Sequence, residues 1–180
     1  ANGTQLTDTN YGGLLFSDAT ALSIGMADFN AGNPISNNTT ISLTKTEIQE
    51  NPIAISKIIE AGSKKIGYLL YNQFSSSYDQ SLNAAFNTFK MGAIDDLIID
   101  LRYNSGGSTR TASYLGSMVT GQFPKEVYSK EVWNSKVTNA FSADDFINIF
   151  PTRITKTDGN NTVVVDEAIY SLNLQRVYFI

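Results

Sequence analysis

Large apolar residues recur at every second position in two early stretches of the chain. The alternation runs over residues 20–29 and again over 39–46, and a period of two is typical of a strand with one buried face. We expect these strands to pair antiparallel across a polar loop that contains residues 30–34. Asn51-Pro52 then marks a boundary, so residues 1–52 are predicted to form a small β-rich unit.

From residue 53 onward, strand and helix patterns take turns. The predicted elements are strands over 55–60 and 65–71, a helix that follows a serine cap at 75–77 and ends at Gly92, a strand over 97–102 and a helix over 108–121. Short loops connect the strands to the intervening helix, and such a crossover places its two strands side by side and parallel. The sequence therefore predicts an α/β core.

The last part of the chain carries a weaker pattern. We predict a strand over 126–132, a helix over 142–150, a polar loop over 155–162, a short strand over 162–165 and a buried parallel strand over 176–180. A chain that ends within a core strand leaves the onward connection of that strand unexplained. We therefore interpret the sequence as a fragment of a longer protein.

Charge and composition exclude several classes of function. The net charge is −4, the pI is about 4.7, and the 13 lysines and arginines are scattered, which argues against binding to nucleic acid or to an anionic membrane surface. Because the chain has no cysteine and no histidine, disulfides, imidazole metal sites and Ser-His-Asp triads cannot be built from its residues. No stretch is long and apolar enough to span a bilayer, and no motif indicates a cofactor.

Several acidic residues resemble catalytic or cation-binding groups but are better explained as parts of turns. Asp95-Asp96 and Asp144-Asp145 are adjacent carboxylates that an acid/base dyad could use, yet solvated turn residues fit their positions better. The stretch 158–160 lacks the ligand spacing of a calcium loop, so a plain turn is predicted. Asp100 and Arg102 lie on a buried strand, and we expect them to pair or to lie at a sheet edge.

The residues Asn104-Ser105-Gly106-Gly107 are the best candidate for a site. They follow a predicted buried strand and precede a predicted helix, and the carboxyl ends of strands in open α/β sheets are where ligands bind. Neither the dinucleotide nor the P-loop glycine motif is present, which weakens a nucleotide-binding function. Two adjacent glycines are most often only a turn, although a backbone N–H from such a turn can serve in an oxyanion hole or bind an extended peptide.

Two segments taken together resemble a known family. Ile66-Gly67-Tyr68, followed by Asp100-Leu101-Arg102-Tyr103-Asn104-Ser105-Gly106-Gly107, resembles the core of the carboxyl-terminal processing peptidases, also called tail-specific proteases. The resemblance covers residues 53–180 and implies a fold related to Clp protease and crotonase. It also implies a serine endopeptidase that cleaves protein chains through a Ser-Lys dyad, with no cofactor.

The resemblance assigns roles within the chain and outside it. It implies that the backbone of Gly106 and Gly107 contributes to the oxyanion hole or holds substrate, while Asn104 and Ser105 shape the turn. It places the nucleophile and its lysine base beyond the last residue, so the chain alone is expected to be inactive. A non-catalytic member of the same fold that binds peptides or apolar ligands is the alternative.

The resemblance also bears on domains and location. It implies that residues 1–52 are the C-terminal part of a PDZ-like domain and that residues 53–180 are the N-terminal part of the peptidase core. The parent protein is expected in the bacterial cell envelope or periplasm, with a lipid anchor as one option. Its expected partners are protein or peptide substrates. The oligomeric state is not predicted.

Overall fold

The computed structural model describes residues 1–180, which form two compact units, Ala1–Glu50 and Asn51–Ile180. The first unit contains a short helix α1 (Tyr11–Leu15) and two strands, β1 (Ala21–Asn30) and β2 (Asn33–Thr44). The strands pair antiparallel, as predicted from their alternation. The assignment of this unit to a PDZ-like domain stays a prediction.

The connection between β1 and β2 is shorter than predicted. Only Ala31 and Gly32 separate the strands, and both have positive φ, as expected for the central residues of a two-residue hairpin turn. The prediction of a polar loop over 30–34 was wrong because Asn33 and Pro34 already pair with β1. Proline is tolerated there since β2 lies at the edge of a two-stranded sheet.

The second unit contains all remaining elements. In chain order they are β3 (Ile53–Ala61), β4 (Lys64–Tyr71), α2 (Asp79–Met91), β5 (Asp96–Asp100), α3 (Thr109–Thr120), β6 (Val127–Lys130), α4 (Ser135–Thr138), β7 (Ile147–Ile149), β8 (Arg153–Thr157), β9 (Val163–Ala168) and β10 (Val177–Phe179), with 3-10 helices at Ser76–Tyr78 and Ala143–Phe146.

A four-stranded sheet in the order β10-β5-β4-β3 forms the centre of this unit. Strands β4 and β5 are parallel neighbours, with Tyr68 opposite Ile98, which confirms the predicted crossover. Strand β10 adds to the other side of β5, also parallel, and β3 forms an antiparallel hairpin with β4. The predicted α/β core is therefore confirmed.

Helices α2 and α3 pack on one face of the sheet and enclose the hydrophobic core. Alternate residues of β4 and β5 point to the helices because side chains along a strand alternate between its faces. The fully or nearly fully buried apolar side chains are Leu69, Tyr71, Leu82, Phe86, Phe89, Leu97, Ile99, Tyr114, Leu115, Met118, Val119 and Ile154. This core fixes the ends of β4 and β5, where the candidate site lies.

Four predictions about local structure in this unit were wrong. The strand at 176–180 was predicted to be buried, but β10 is the outer strand of the sheet, and its Tyr178 and Phe179 are 48% and 60% exposed. The helix predicted over 142–150 is a single 3-10 turn, because Ser142 and Asp145 form a capping box but Ile147–Ile149 pairs with β6 instead of continuing the helix. Most of the loop predicted over 155–162 is strand β8, paired with β9. The serines at 75–77 make no side-chain cap on α2, whose N-cap residue is Tyr78.

The acidic pair Asp95-Asp96, at the start of β5, has one exposed and one buried member. Asp95 is exposed, as predicted, and accepts a hydrogen bond from the Lys65 N–H at 2.8 Å. Asp96 is 8% exposed and binds Arg176 through two hydrogen bonds of 2.8 and 3.0 Å, so its prediction as a solvated turn residue was wrong. The reason is that β10 adds beside β5 and brings Arg176 to this carboxylate, which lowers the pKa of Asp96.

Candidate functional site

The turn at Asn104–Gly107 is held against the segment that follows β4. The Phe74 N–H donates to the Gly106 carbonyl and the Ser108 N–H donates to the Phe74 carbonyl, both at 2.8 Å. Phe74 and Gly107 thus form a parallel bridge of one residue pair beyond the ends of β4 and β5. The crossover topology brings these two strand ends together, and the bridge fixes the turn there.

Gly107 can be nothing but glycine in this arrangement. Its φ is +136° and that of Gly106 is +92°, values that residues with a Cβ rarely adopt. A Cβ on Gly107 would overlap the Phe74 carbonyl oxygen and lie 2.8 Å from its carbonyl carbon, whereas a Cβ on Gly106 would meet no atom within 4 Å. The close approach of two backbones therefore depends on Gly107.

Asn104 holds the turn from inside. Its side-chain amide donates to the Tyr71 carbonyl at 2.9 Å, and its side-chain oxygen accepts the Gly106 N–H at 2.8 Å. The Gly106 N–H is therefore already used within the turn. Ser105 adds a backbone hydrogen bond of 3.1 Å to the Asn72 carbonyl.

The Gly107 N–H is the donor that the turn leaves open. In a parallel bridge where Phe74 binds the residues on either side of Gly107, the N–H of Gly107 itself points away from Phe74. It donates to no protein group in the structure. An unpaired N–H on a fixed backbone is the kind of group that stabilises an oxyanion or binds a peptide carbonyl. The predicted use of Gly106 and Gly107 in catalysis or substrate binding stays a prediction.

An apolar cavity of about 300 Å³ lies beside the turn, with Phe74 in its wall. Sequence reasoning did not find it, because its lining comes from elements far apart in the chain. The lining residues are Phe74, Leu101, Ala112, Leu115, Gly116, Val119, Thr120, Tyr128, Phe150, Val177 and Phe179.

A charged cluster stabilises the end of β5 just before the turn. Asp100 is fully buried and accepts hydrogen bonds from the Arg102 guanidinium, the shortest at 2.7 Å, and from the Tyr68 hydroxyl at 2.9 Å. The Arg102 hydrogen bonds are the main cause that holds the pKa of Asp100 far below its ordinary value. This confirms the expectation that Asp100 and Arg102 pair with each other.

No Ser-Lys dyad is assembled among residues 1–180. The hydrogen-bonded lysine ammonium groups, those of Lys45, Lys64, Lys65 and Lys156, donate to backbone carbonyls or to a carboxylate and not to a serine hydroxyl. A nucleophile that attacks a carbonyl needs a base within hydrogen-bond reach. None of these four lysine ammonium groups is placed to take a proton from a serine hydroxyl.

Neither a membrane span nor a metal cluster is evident. None of the helices is long and apolar enough to cross a bilayer. No group of three or more acidic, histidine or cysteine side chains is arranged to hold a metal ion.

Comparison with known proteins identifies the family. The model of peptidase family S41 matches residues 65–172, which is more than half of the chain and includes β4 except its first residue, α2, β5, the Gly106-Gly107 turn and α3. The chain belongs to peptidase family S41. The S41 match covers the whole arrangement of strand ends and turn described above.

Two relatives are similar to parts of the chain. A carboxyl-terminal-processing protease from Picosynechococcus is 32% identical over 68 residues, which is 38% of this chain and 16% of the relative. A chloroplastic carboxyl-terminal-processing peptidase 2 from Arabidopsis thaliana is 25% identical over 134 residues, which is 72% of this chain and 22% of the relative. The chain thus spans less than a quarter of the length of these two relatives.

Solved structures of S41 proteins are also similar to the chain. One, from Bacteroides fragilis NCTC 9343 and assigned to the S41 proteases, has a TM-score of 0.46 and 20% sequence identity and covers 99% of this chain and 44% of the other. A photosystem II D1 C-terminal processing protease has a TM-score of 0.44 and 14% identity and covers 78% of this chain and 32% of the other.

Proposed function

We propose that the protein containing this S41 region is a serine-type endopeptidase that cleaves protein chains near their carboxyl termini. The observation that carries the proposal is the Gly107 N–H, which is rigidly held, unpaired and located at the carboxyl end of a parallel strand in an S41 chain. Both relatives named above are carboxyl-terminal-processing enzymes, which supports this class of substrate.

In this proposal the turn supplies electrostatic stabilisation. Attack on a peptide carbonyl moves negative charge onto its oxygen, and a fixed backbone N–H stabilises that charge more than it stabilises the neutral carbonyl. Gly107 is the donor, since the Gly106 N–H is occupied by Asn104. Gly106 and Asn104 then act by holding the turn in its conformation.

The nucleophile and base are proposed to be a serine and a lysine outside residues 1–180. The absence of histidine from the chain fits a lysine base, which must be kept neutral by burial to accept the serine proton. We expect residues 1–180 alone to show no peptidase activity.

The test is cleavage of an unfolded protein with a free carboxyl terminus by the full-length protein. Products shortened from the carboxyl end are expected, and the same substrate with the 180-residue chain should stay intact. Cleavage by the 180-residue chain would contradict the placement of the nucleophile, and no cleavage by the full-length protein would contradict the peptidase function.

A second candidate function is supported by the apolar cavity beside the turn. A non-catalytic member of the fold could bind an apolar side chain of a peptide there, with the peptide backbone on the Gly107 N–H. Peptide binding by a full-length protein that neither cleaves peptides nor reacts with a fluorophosphonate would favour this candidate over the peptidase.

We further propose that residues 1–52 are the C-terminal part of a PDZ-like domain and that the protein acts in the bacterial cell envelope or periplasm. The β-hairpin of the first unit supports the former, and the resemblance of the core motif supports the latter. Fractionation of cells that express the full-length protein tests the location, and a lipid anchor would appear as detergent-soluble membrane material.

A further inference from the structure

Two segments meet at the candidate site, and a series of hydrogen bonds joins them. Residues 71–79 lead from β4 into α2, and residues 104–111 lead from β5 into α3. Backbone bonds from Ser105, Phe74 and Ser108 form the middle of the series. The hydrogen bonds of the Asn104 side chain lie at one end of this series.

A hydrogen bond to the buried carboxylate of Asp79 lies at the other end of the series. Asp79 is 3% exposed and accepts a hydrogen bond of 2.8 Å from the hydroxyl of Thr111, which is fully buried. Asp79 is the first residue of α2 and Thr111 lies in the first turn of α3, so one bond connects the starts of both helices. Asp79 does not cap α2 itself, because the N-cap residue Tyr78 precedes it and makes no side-chain cap bond.

Ser108 connects the Asp79–Thr111 hydrogen bond to the turn. The Ser108 hydroxyl oxygen accepts the Thr111 N–H at 3.2 Å, and the Ser108 N–H donates to the Phe74 carbonyl. Ser108 is covalently attached to Gly107. A displacement of Thr111 would therefore be passed to Ser108 and to the orientation of the Gly107 N–H.

The surroundings of Asp79 show that the carboxylate is confined. Burial raises the pKa of Asp79, while the Thr111 hydrogen bond and the positive charges of Lys156 and Arg110 act in the opposite direction. The Tyr71 hydroxyl is buried without a hydrogen-bond partner, and burial followed by the Asp79 charge raises its pKa. A buried carboxylate with one hydrogen-bond partner from a neighbouring helix has little freedom to move.

We propose that Asp79, acting through Thr111, is the positioning residue that sets the orientation of the Gly107 N–H. The catalytic consequence rests on the proposed peptidase function, but the structural one does not. The hydrogen bond needs an acceptor at position 79 and a hydroxyl at position 111, and it does not need a negative charge.

The variants either remove or keep the acceptor at position 79 and the hydroxyl at position 111. Asp79→Ala and Thr111→Val remove the bond, whereas Asp79→Asn and Thr111→Ser keep an acceptor and a hydroxyl. Thr88→Val is a matched control, because Thr88 lies on α2 and its hydroxyl donates only to the Ala84 carbonyl of the same helix at 3.2 Å.

The experiment measures hydrogen–deuterium exchange by mass spectrometry and peptide cleavage in the same full-length preparations. Asp79→Ala and Thr111→Val should each speed exchange of peptides covering 72–79 and 104–111 about five- to tenfold, with exchange in the core of α2 unchanged. They should lower kcat about tenfold with little change in KM, because the donor acts in the transition state. Asp79→Asn and Thr111→Ser should restore both readouts toward wild type.

Two results would overturn the proposal in different ways. Exchange at 104–111 equal to that of Thr88→Val in both deletion variants would remove the positioning role. Faster exchange at 104–111 with unchanged kcat would support the positioning role of Asp79 but contradict the assignment of the Gly107 N–H to catalysis. Where Asp79→Ala fails to fold, Thr111→Val decides, since valine has nearly the shape of threonine.

Discussion

Replacement of Gly107 by alanine is the sharpest perturbation of the candidate site, and Gly106→Ala is its matched control. Both glycines have positive φ, so both variants strain the backbone by about 1–2 kcal/mol. Only the Gly107 variant places a Cβ against the Phe74 carbonyl group.

That clash separates the Phe74 and Gly107 backbones and breaks the two 2.8 Å hydrogen bonds of the bridge. At about 1 kcal/mol for each bond, added to the strain, Gly107→Ala should lower the free energy of unfolding by about 3–4 kcal/mol. Gly106→Ala should lower it by about 1–2 kcal/mol, because it adds strain alone.

Urea unfolding of the 180-residue chain at 25 °C measures the difference in the free energy of unfolding between the two variants. The single tryptophan, Trp133, lies in the second unit, so its fluorescence reports on the unit that contains the turn. Equal destabilisation by the two variants would refute the claim that the close approach to Phe74 is what requires glycine at position 107.

Three further predictions follow from the same contacts. Asn104→Ala loses its bonds to Tyr71 and Gly106 and should lower the free energy of unfolding by about 1–3 kcal/mol in the same urea assay, while Ser105→Ala, which keeps its backbone bond, should change it by less than about 0.5 kcal/mol. In the same assay Phe86→Ala in the core should lower the free energy of unfolding by about 3–5 kcal/mol, whereas Met91→Ala, at an 81%-exposed position on the same helix, should change it by less than about 0.5 kcal/mol. The pKa of Asp100 is lower in the folded than in the unfolded chain, so its contribution to stability is present above the unfolded pKa of about 3.9 and is lost as the pH falls below that value. The urea midpoint of the wild type should therefore fall between about pH 5 and about pH 2.5, and that of Asp100→Asn should fall less steeply with pH. Equal pH dependence of the two midpoints would refute this contribution of Asp100.

The elements that sequence could predict are those whose pattern is local. The strand predicted over 97–102, the helix predicted over 108–121 and the parallel pairing of β4 with β5 depend on apolar runs, helical spacing and short loops, all visible in the sequence. The strands at 147–149 and 153–157 were missed, because they are short and are stabilised by pairing with other strands, β6 and β9.

Some features of the candidate site could likewise be predicted from the sequence, and others could not. Two adjacent glycines after a buried strand predict a turn, so Gly106 and Gly107 could be named from the sequence. The sequence does not show which of the two must be glycine, and that requirement arises at Gly107 because Phe74, 33 positions earlier, passes against it. Asp79 was missed for a similar reason, since its partner Thr111 is 32 residues away and an acidic residue at a helix start is ordinarily explained by the helix dipole.

We propose that the Gly107 turn belongs to the active site of a serine peptidase whose nucleophile lies outside residues 1–180. Labelling of the full-length protein with a fluorophosphonate, followed by mass-spectrometric mapping of the modified residue, tests it most directly. We expect one labelled serine outside residues 1–180, with peptide cleavage lost in proportion to labelling. A label on a serine within residues 1–180, or cleavage that continues in fully labelled protein, would contradict it.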